Sequence, residues 1–167
     1  MSDSLYSRIT KQKLADVFSR TIYTVDGLWF LAVENKYGHE AAVELDIEVW
    51  EKMGPIQARR TVNNFVPKDD NPIRTLVRAL LADSVLRITQ PEVTIVSNNK
   101  AILRCTDCPP QRARVRDGKG EFNCRPVDLA FFKSYAEAIA PEIKVTCLVS
   151  PPDEHPPEYW CEWQFEI

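Results

Sequence analysis

IKVTCLVS at residues 143–150 and CEWQFEI at residues 161–167 are the two segments that decide the fold. Apolar and polar residues alternate in both, which is typical of strands with one buried face. In the second segment the buried set is Cys161, Trp163 and Phe165. We therefore predict a β-hairpin that packs its apolar face on a core.

The loop between these segments is centred on Glu154, and pairing the strands symmetrically about it places Cys147 opposite Cys161. A slip of one residue would turn the apolar set of the last strand toward solvent. We therefore expect this register, with both cysteines on the apolar face.

The remaining chain divides into a helical and a β-rich half. Apolar residues recur at helical spacing up to residue 87, with breaks at Asp26-Gly27 and Gly54-Pro55. A second hairpin, 93–96 with 101–104, and one helix at 126–140 complete the C-terminal half. The pattern predicts N-terminal helices at 9–23, 26–37, 39–53, 55–65 and 72–86. Asn71 is the expected N-cap of the last of these, and Pro72 occupies its first position. We predict a single α+β domain over 1–167, with residues 1–90 mainly helical and residues 91–167 packing against them as a small antiparallel sheet.

Composition limits the class of protein. The chain has 167 residues, 44% of them hydrophobic, and a net charge of −3. These values are typical of one globular domain and give no general attraction to nucleic acid. We find no apolar run long enough for a membrane span and no secretory signal, so we expect a cytoplasmic protein. A homo-oligomer is compatible with this composition.

Five cysteines are the main candidates for a site. Cys105 and Cys108 form a Cys-x-x-Cys pair, Cys124 follows a turn-rich segment, and Cys147 and Cys161 belong to the last hairpin. Thiolates held by turns are typical zinc ligands. The alternative is that the cysteines are small buried core residues. His155, in a proline-rich loop, is either an exposed histidine or a further ligand.

Two carboxylates on apolar helix faces are candidates for acid–base chemistry. Asp46 lies within the apolar arc formed by Val43, Val49 and Trp50, and Glu34 follows an apolar segment of the preceding helix. A buried carboxylate needs a partner or a raised pKa. Asp46 and Glu34 therefore form either a general acid–base pair or a buried ion pair with an arginine such as Arg59 or Arg60.

A basic stretch follows the Cys-x-x-Cys pair. Arg112, Arg114 and Arg116 alternate along it, and Lys100, Arg104, Lys119 and Arg125 add to its charge. The alternation favours a solvated strand edge guarded by arginines. A phosphate-bearing partner is the alternative, although no nucleic-acid-binding motif accompanies the charge.

Several motifs together resemble an uncharacterised prokaryotic family. They are DGLWFLAVE at 26–34, ELD at 44–46, VW at 49–50, CPPQ at 108–111, FNC at 122–124, CLVSPPD at 147–153 and WCEW at 160–163. That family is similar, more distantly, to L-2-amino-thiazoline-4-carboxylic acid hydrolase-like proteins and to vinyl-reductase-type ligand-binding domains. The resemblance implies a common site made by Cys108, Cys124, Cys147 and Cys161, with Cys105 outside it.

These observations favour a small-molecule-binding domain with a cysteine-rich, zinc-binding site. The alternative is a hydrolase of a small heterocyclic or amide-like substrate, with a cysteine nucleophile or metal-bound water and with Asp46 or Glu34 as acid–base. A third possibility is an interaction module that binds a phosphate-bearing partner through the arginines.

Overall fold

The computed structural model describes residues 9–167; the N-terminal segment used to exclude a secretory signal lies outside them. The order of elements is that of an α+β fold, as predicted. Five α-helices are described: α1 Lys11–Tyr37, α2 His39–Phe65, α3 Pro72–Ala82, α4 Pro109–Arg116 and α5 Arg125–Glu137. A 3-10 helix, Leu86–Thr89, follows α3. The strands are β1 Pro91–Ser97, β2 Lys100–Cys105, β3 Lys144–Val149 and β4 Cys161–Glu166.

Two of the predicted helix breaks are wrong. Helix α1 continues through Asp26-Gly27, and α2 continues through Gly54-Pro55, so each helix has 27 residues. A glycine inside a helix costs only about 1 kcal/mol, which packing can offset. At Gly54 the packing needs the glycine: an added Cβ would lie 2.8 Å from the carbonyl oxygen of Phe131 and closer still to Ser134 Oγ. Tight contact with α5 therefore holds α2 together across its proline.

The start of α3 follows the sequence signals. Asn71 caps the helix because its side-chain oxygen accepts a hydrogen bond from the Arg74 backbone N–H at 2.8 Å. Pro72 occupies the first helical position, where no N–H is needed. The helix ends at Ala82, four residues before the predicted end, because Asp83 turns the chain into the 3-10 helix.

Asp83 is a buried carboxylate that joins three elements. It accepts hydrogen bonds from Thr61 Oγ1 of α2 at 3.2 Å and from Tyr135 OH of α5 at 3.0 Å. The backbone N–H of Val85 donates a third bond at 2.7 Å. Burial raises the pKa of Asp83, and these donors partly oppose the rise. The side chain thus fixes α2, α5 and the end of α3 in one arrangement.

The four strands form one antiparallel sheet in the order β1-β2-β4-β3. The hairpin predicted at 93–96 and 101–104 is present as β1 and β2. The apolar residues of β4 face the core: Trp163 and Phe165 are fully buried, and Phe132 of α5 packs on both rings. Helices α2, α3 and α5 cover this face.

The predicted register of the last hairpin is wrong by two residues. Cys147 pairs with Trp163, whereas Cys161 pairs with Cys105 of β2. From Lys144 to Cys147 the pairing is symmetrical about His155, one position after the predicted centre at Glu154, and the irregularity between Cys147 and Val149 lies on the loop side of these pairs. A shift of two residues preserves the faces, so the apolar face of β4 was still predicted correctly.

The basic stretch is a helix rather than the predicted strand edge. Pro109 and Pro110 occupy the first positions of α4, where proline is favoured. This signal outweighs the alternation of the arginines. Within residues 9–167, none of the helices combines the length and apolar character that a membrane span requires.

Candidate ligand-binding cavity

A cavity of about 600 Å³ lies between α1, α2 and α5 and extends to the chain after β2. Its walls are mostly apolar and include several aromatic rings: Tyr23 and Phe30 come from α1, Trp50 from α2, and Phe131 from α5. Trp50 and Phe131 meet edge to face with their ring centroids 5.4 Å apart. A preformed apolar space of this size is typical of small-molecule sites.

Asp26 of α1, Asp46 of α2 and Asp128 of α5 contribute carboxyl groups to the lining of this cavity. The lining also includes Asp107 and Asp117 and four basic side chains: Arg20, Arg114, Arg116 and Lys119. The Trp50 Nε1–H donates a hydrogen bond to Asp26 Oδ1 at 3.1 Å. Among the described residues, no ion pair involves any of the three carboxyl groups.

Their surroundings raise all three pKa values toward neutrality. Burial is the largest cause at Asp46, and repulsion from Asp26 and Asp128 adds to it, which brings the pKa to about 7. Burial likewise raises the pKa of Asp26 to about 6, against the hydrogen bond from Trp50. The pKa of Asp128 rises to about 6 by burial and by repulsion from Asp26. The group can therefore exchange protons near physiological pH.

Four thiols line the same cavity. Cys108 and Cys124 precede α4 and α5, and Cys105 and Cys161 lie opposite each other on β2 and β4. Cys124 Sγ accepts a hydrogen bond from Gln111 Nε2 at 3.4 Å. Burial raises the pKa of Cys108 and of Cys124. The thiols of Cys108 and Cys124 therefore remain protonated at neutral pH.

Cys147 lies apart from the other cysteines. It is half-buried on β3, its Sγ donates to the carbonyl oxygen of Val149 at 3.5 Å, and it does not line the cavity. Of the four predicted zinc ligands, the fold thus brings Cys108, Cys124 and Cys161 to one cavity. Among residues 9–167, no three or more His, Cys, Asp or Glu side chains are grouped closely enough to hold a metal ion. The zinc site stays a prediction.

Glu34 is engaged elsewhere. Its carboxylate accepts hydrogen bonds from Lys119 Nζ at 2.8 Å and from Arg114 Nη1 at 3.1 Å, and it contacts His39 Nδ1 at 2.8 Å. Burial would raise its pKa, but these three donors outweigh that effect and lower the pKa to about 2. The predicted arginine partner, Arg59 or Arg60, is wrong. Glu34 instead joins α1 to α4 and to the turn after it.

The basic residues considered above for a phosphate-bearing partner all form ion pairs with carboxylates. Arg112 contacts Asp107 at 2.8 Å and Arg116 contacts Asp117 at 2.8 Å. The other members have carboxylate partners as well: Lys100, Arg104, Arg114, Lys119 and Arg125. His155 is largely buried against Trp160 and lies 3.5 Å from Glu121, outside the cavity lining.

Sequence reasoning identified Asp46 but missed Asp26 and Asp128. A signal for Asp128 was available, because it lies between Val127 and Phe131 on the apolar side of a predicted helix. Asp26 belongs to the Asp26-Gly27 pair, whose turn-forming character concealed its place inside a helix.

The fold and cavity define an α+β protein with a preformed internal site of mixed aromatic, carboxyl and thiol character. Residues 6–167 match the model of a family of unknown function, DUF6125, and the chain belongs to that family. No curated protein and no solved structure matches the chain. The predicted membership of an uncharacterised family is confirmed, whereas the more distant resemblance to hydrolase-like and vinyl-reductase-type proteins stays a prediction.

Proposed function

We propose that this protein is a small-molecule-binding domain whose ligand occupies the cavity between α1, α2 and α5. The observation that carries the proposal is the convergence of Asp26, Asp46 and Asp128 in an apolar space of about 600 Å³. Pockets that bind small molecules combine apolar walls with a few polar groups that fix orientation. Here the three carboxyl groups supply the polar positions.

The same carboxyl groups indicate which ligand chemistry the cavity favours. Ionised carboxyls close together in an apolar space repel one another and cost free energy. A ligand that presents a positive charge or several N–H donors would relieve that cost and strengthen its bonds to the carboxylates. The faces of Trp50 and the other rings would also attract an organic cation. We therefore infer that the ligand is a small amine or a similar donor-rich molecule.

The test compares ligand classes by the shift in melting temperature that each produces. Small alkylamines that carry an aromatic ring, which are cationic at neutral pH, should stabilise the wild-type protein more than carboxylates of the same size and shape. Asp128→Asn should reduce the stabilisation by amines, and Asp70→Asn, at an exposed position outside the cavity lining, should leave it unchanged. Equal stabilisation by amines and carboxylates would refute the proposed ligand class, and no stabilisation by any class would refute binding.

Calorimetry in buffers of different ionisation enthalpy gives an independent readout. A cation lowers the pKa values of the carboxyls that contact it, so binding between pH 6 and 7 should release protons. Proton uptake on binding would contradict the proposed contact between cation and carboxylate.

The zinc prediction is tested separately. Metal analysis of protein purified without chelator should find about one zinc per chain if the cysteines form a site. Cys124→Ser should abolish that content, whereas Cys147→Ser should not, because Cys147 lies outside the cavity lining. Equal loss in both variants would support the original set of four ligands.

Asp46 favours a second candidate function, hydrolysis of a small heterocyclic or amide-like substrate. A carboxyl with a pKa of about 7 can accept a proton from water at neutral pH, which is what a general base requires. The raised pKa values of Cys108 and Cys124 do not favour a thiolate nucleophile. Glu34, held in its ion pairs, has no part in this version. Asp46→Asn should abolish turnover while the protein still binds product, and full turnover in that variant would exclude the mechanism.

A further inference from the structure

Helix α1 has apolar residues on two opposite faces. The inner face includes Phe30 and Val33, which are buried against Ala42 of α2. On the other face Phe18 is 59% and Val25 63% exposed. Leu28 is 65% exposed on this face and also lines the cavity. Single exposed apolar residues are normal on a protein surface, but a continuous line of them indicates an interface.

The exposed residues of α1 follow a heptad spacing. Intervals of four and three residues alternate along one line, and every member is exposed: Leu14, Phe18, Thr21, Val25, Leu28 and Ala32. This is the spacing with which one helix packs along another in a coiled coil. Val17 and Trp29 widen the line on its two sides, and both are also exposed.

Helix α2 extends this surface. Its exposed Val49 and Ile56 follow Ala42 by seven and fourteen residues, so they lie on the flank of α2 that faces α1. Contacts between Tyr23 and Trp50 set an antiparallel register of the two helices. In that register Val25 lies level with Val49, and Leu28 with Leu45. We call the exposed apolar residues of α1 together with Leu45, Val49 and Ile56 the outer face.

The two ends of the outer face carry opposite charge. Exposed basic residues surround the end at the start of α1: Lys11, Lys13, Arg20, Arg59 and Arg60. Exposed acidic residues surround the other end: Glu40, Glu44 and Glu48. Lys36 is the exception at the acidic end. A two-fold axis near Thr21 would place each basic end on the acidic end of an identical surface.

The outer face is large enough for a dimer. From Leu14 to Ala32 it is about 27 Å long, and two adjacent helices are about 20 Å wide. The footprint is thus about 500 Å² on each copy, and about 1,000 Å² for a pair meets the lower threshold of about 1,000 Å² for a biological interface. We propose that the outer face is a two-fold interface between two copies of this chain. Because Tyr23 and Asp26 lie on the inner face of the same helix, the interface would also brace one wall of the cavity.

Sedimentation velocity over a range of protein concentrations tests the proposal. The wild-type protein should sediment with twice the chain mass of 19.1 kDa. Val25→Glu, at a position outside the cavity lining, would bury two carboxylates in the interface and should weaken dimerisation by about 100-fold or more. Leu81→Glu, at an exposed apolar position of α3, is the matched control and should leave the dimer intact. Unchanged circular dichroism confirms that both variants fold.

A charge exchange tests the two-fold arrangement. Glu44→Lys with Glu48→Lys should weaken the dimer at low salt, and adding Arg59→Glu with Arg60→Glu should restore it. Failure of the second pair to restore association would overturn the two-fold arrangement. A monomeric wild-type protein, or a dimer that Val25→Glu leaves intact, would overturn the interface. If the wild-type protein is a monomer that floats with phosphatidylcholine–phosphatidylglycerol vesicles and the Val25→Glu variant does not float, the outer face binds a lipid surface instead.

Discussion

Replacing Asp46 by asparagine should stabilise the protein at alkaline pH. Its folded pKa of about 7 lies above the ordinary value of 3.8, so ionisation favours the unfolded chain. This pH dependence of stability is the reverse of that of a carboxylate whose pKa is lowered on folding. The cost is fully present above pH 7, falls as the pH is lowered, and is absent below the unfolded pKa. Asparagine keeps the shape of the side chain and removes the charge.

The expected gain follows from the difference in pKa. A rise from 3.8 to about 7 corresponds to a cost of about 4 kcal/mol at alkaline pH, at about 1.4 kcal/mol for each pH unit. Asp46 is only half-buried and water reaches it, so we expect about half of this, about 2 kcal/mol, for Asp46→Asn at pH 8. The difference from the wild-type protein should shrink as the pH is lowered and nearly disappear only at about pH 3.5, below the unfolded pKa.

Urea denaturation at about pH 3.5 and pH 8 measures this difference. The matched control is Glu51→Gln, which removes an exposed carboxylate from the same helix and should change the free energy of unfolding little at either pH. An Asp46→Asn variant that is no more stable than the wild-type protein at pH 8 would refute the reasoning. So would a gain of the same size at both pH values.

Further predictions concern other parts of the molecule. Glu34→Gln should reduce the free energy of unfolding at neutral pH, and the reduction should shrink as the pH falls toward 2, because the wild-type ion pairs exist only while Glu34 is ionised. Gly54→Ala should destabilise the protein by about 1–3 kcal/mol in urea denaturation, since its methyl group meets the backbone of α5. Alkylation of the native protein at neutral pH, followed by mass spectrometry, should leave Cys124 unmodified long after denatured protein has reacted fully.

The sequence was sufficient for features that depend on local periodicity. Alternation identified the buried face of β4, and the Asn71-Pro72 signal located the start of α3. These patterns show which side of a helix or strand faces the core, and they can be seen in the sequence of that element alone. The α+β class followed from them.

The sequence was insufficient where packing between distant elements decides the outcome. Gly54-Pro55 is a reasonable helix break until α5 is seen to pack on it. The centre of the last hairpin at His155 rather than Glu154, which moves Cys147 away from Cys161, has no sequence signature. Of the three cavity aspartates, only Asp46 was recognised from the sequence. Asp26 and Asp128 were missed because they come from helices that are about a hundred residues apart along the chain and meet only in the fold.

The most direct test of the central claim is a titration of the carboxyl groups by nuclear magnetic resonance. The carboxyl carbons of aspartate, followed from pH 3 to pH 9, report the protonation of Asp26, Asp46 and Asp128, and Asn variants assign them. We predict that the three titrate together with apparent midpoints between about 6 and 7. Midpoints near 4 for all three would show that water solvates them like surface carboxylates, and would contradict a preformed site for a cationic ligand.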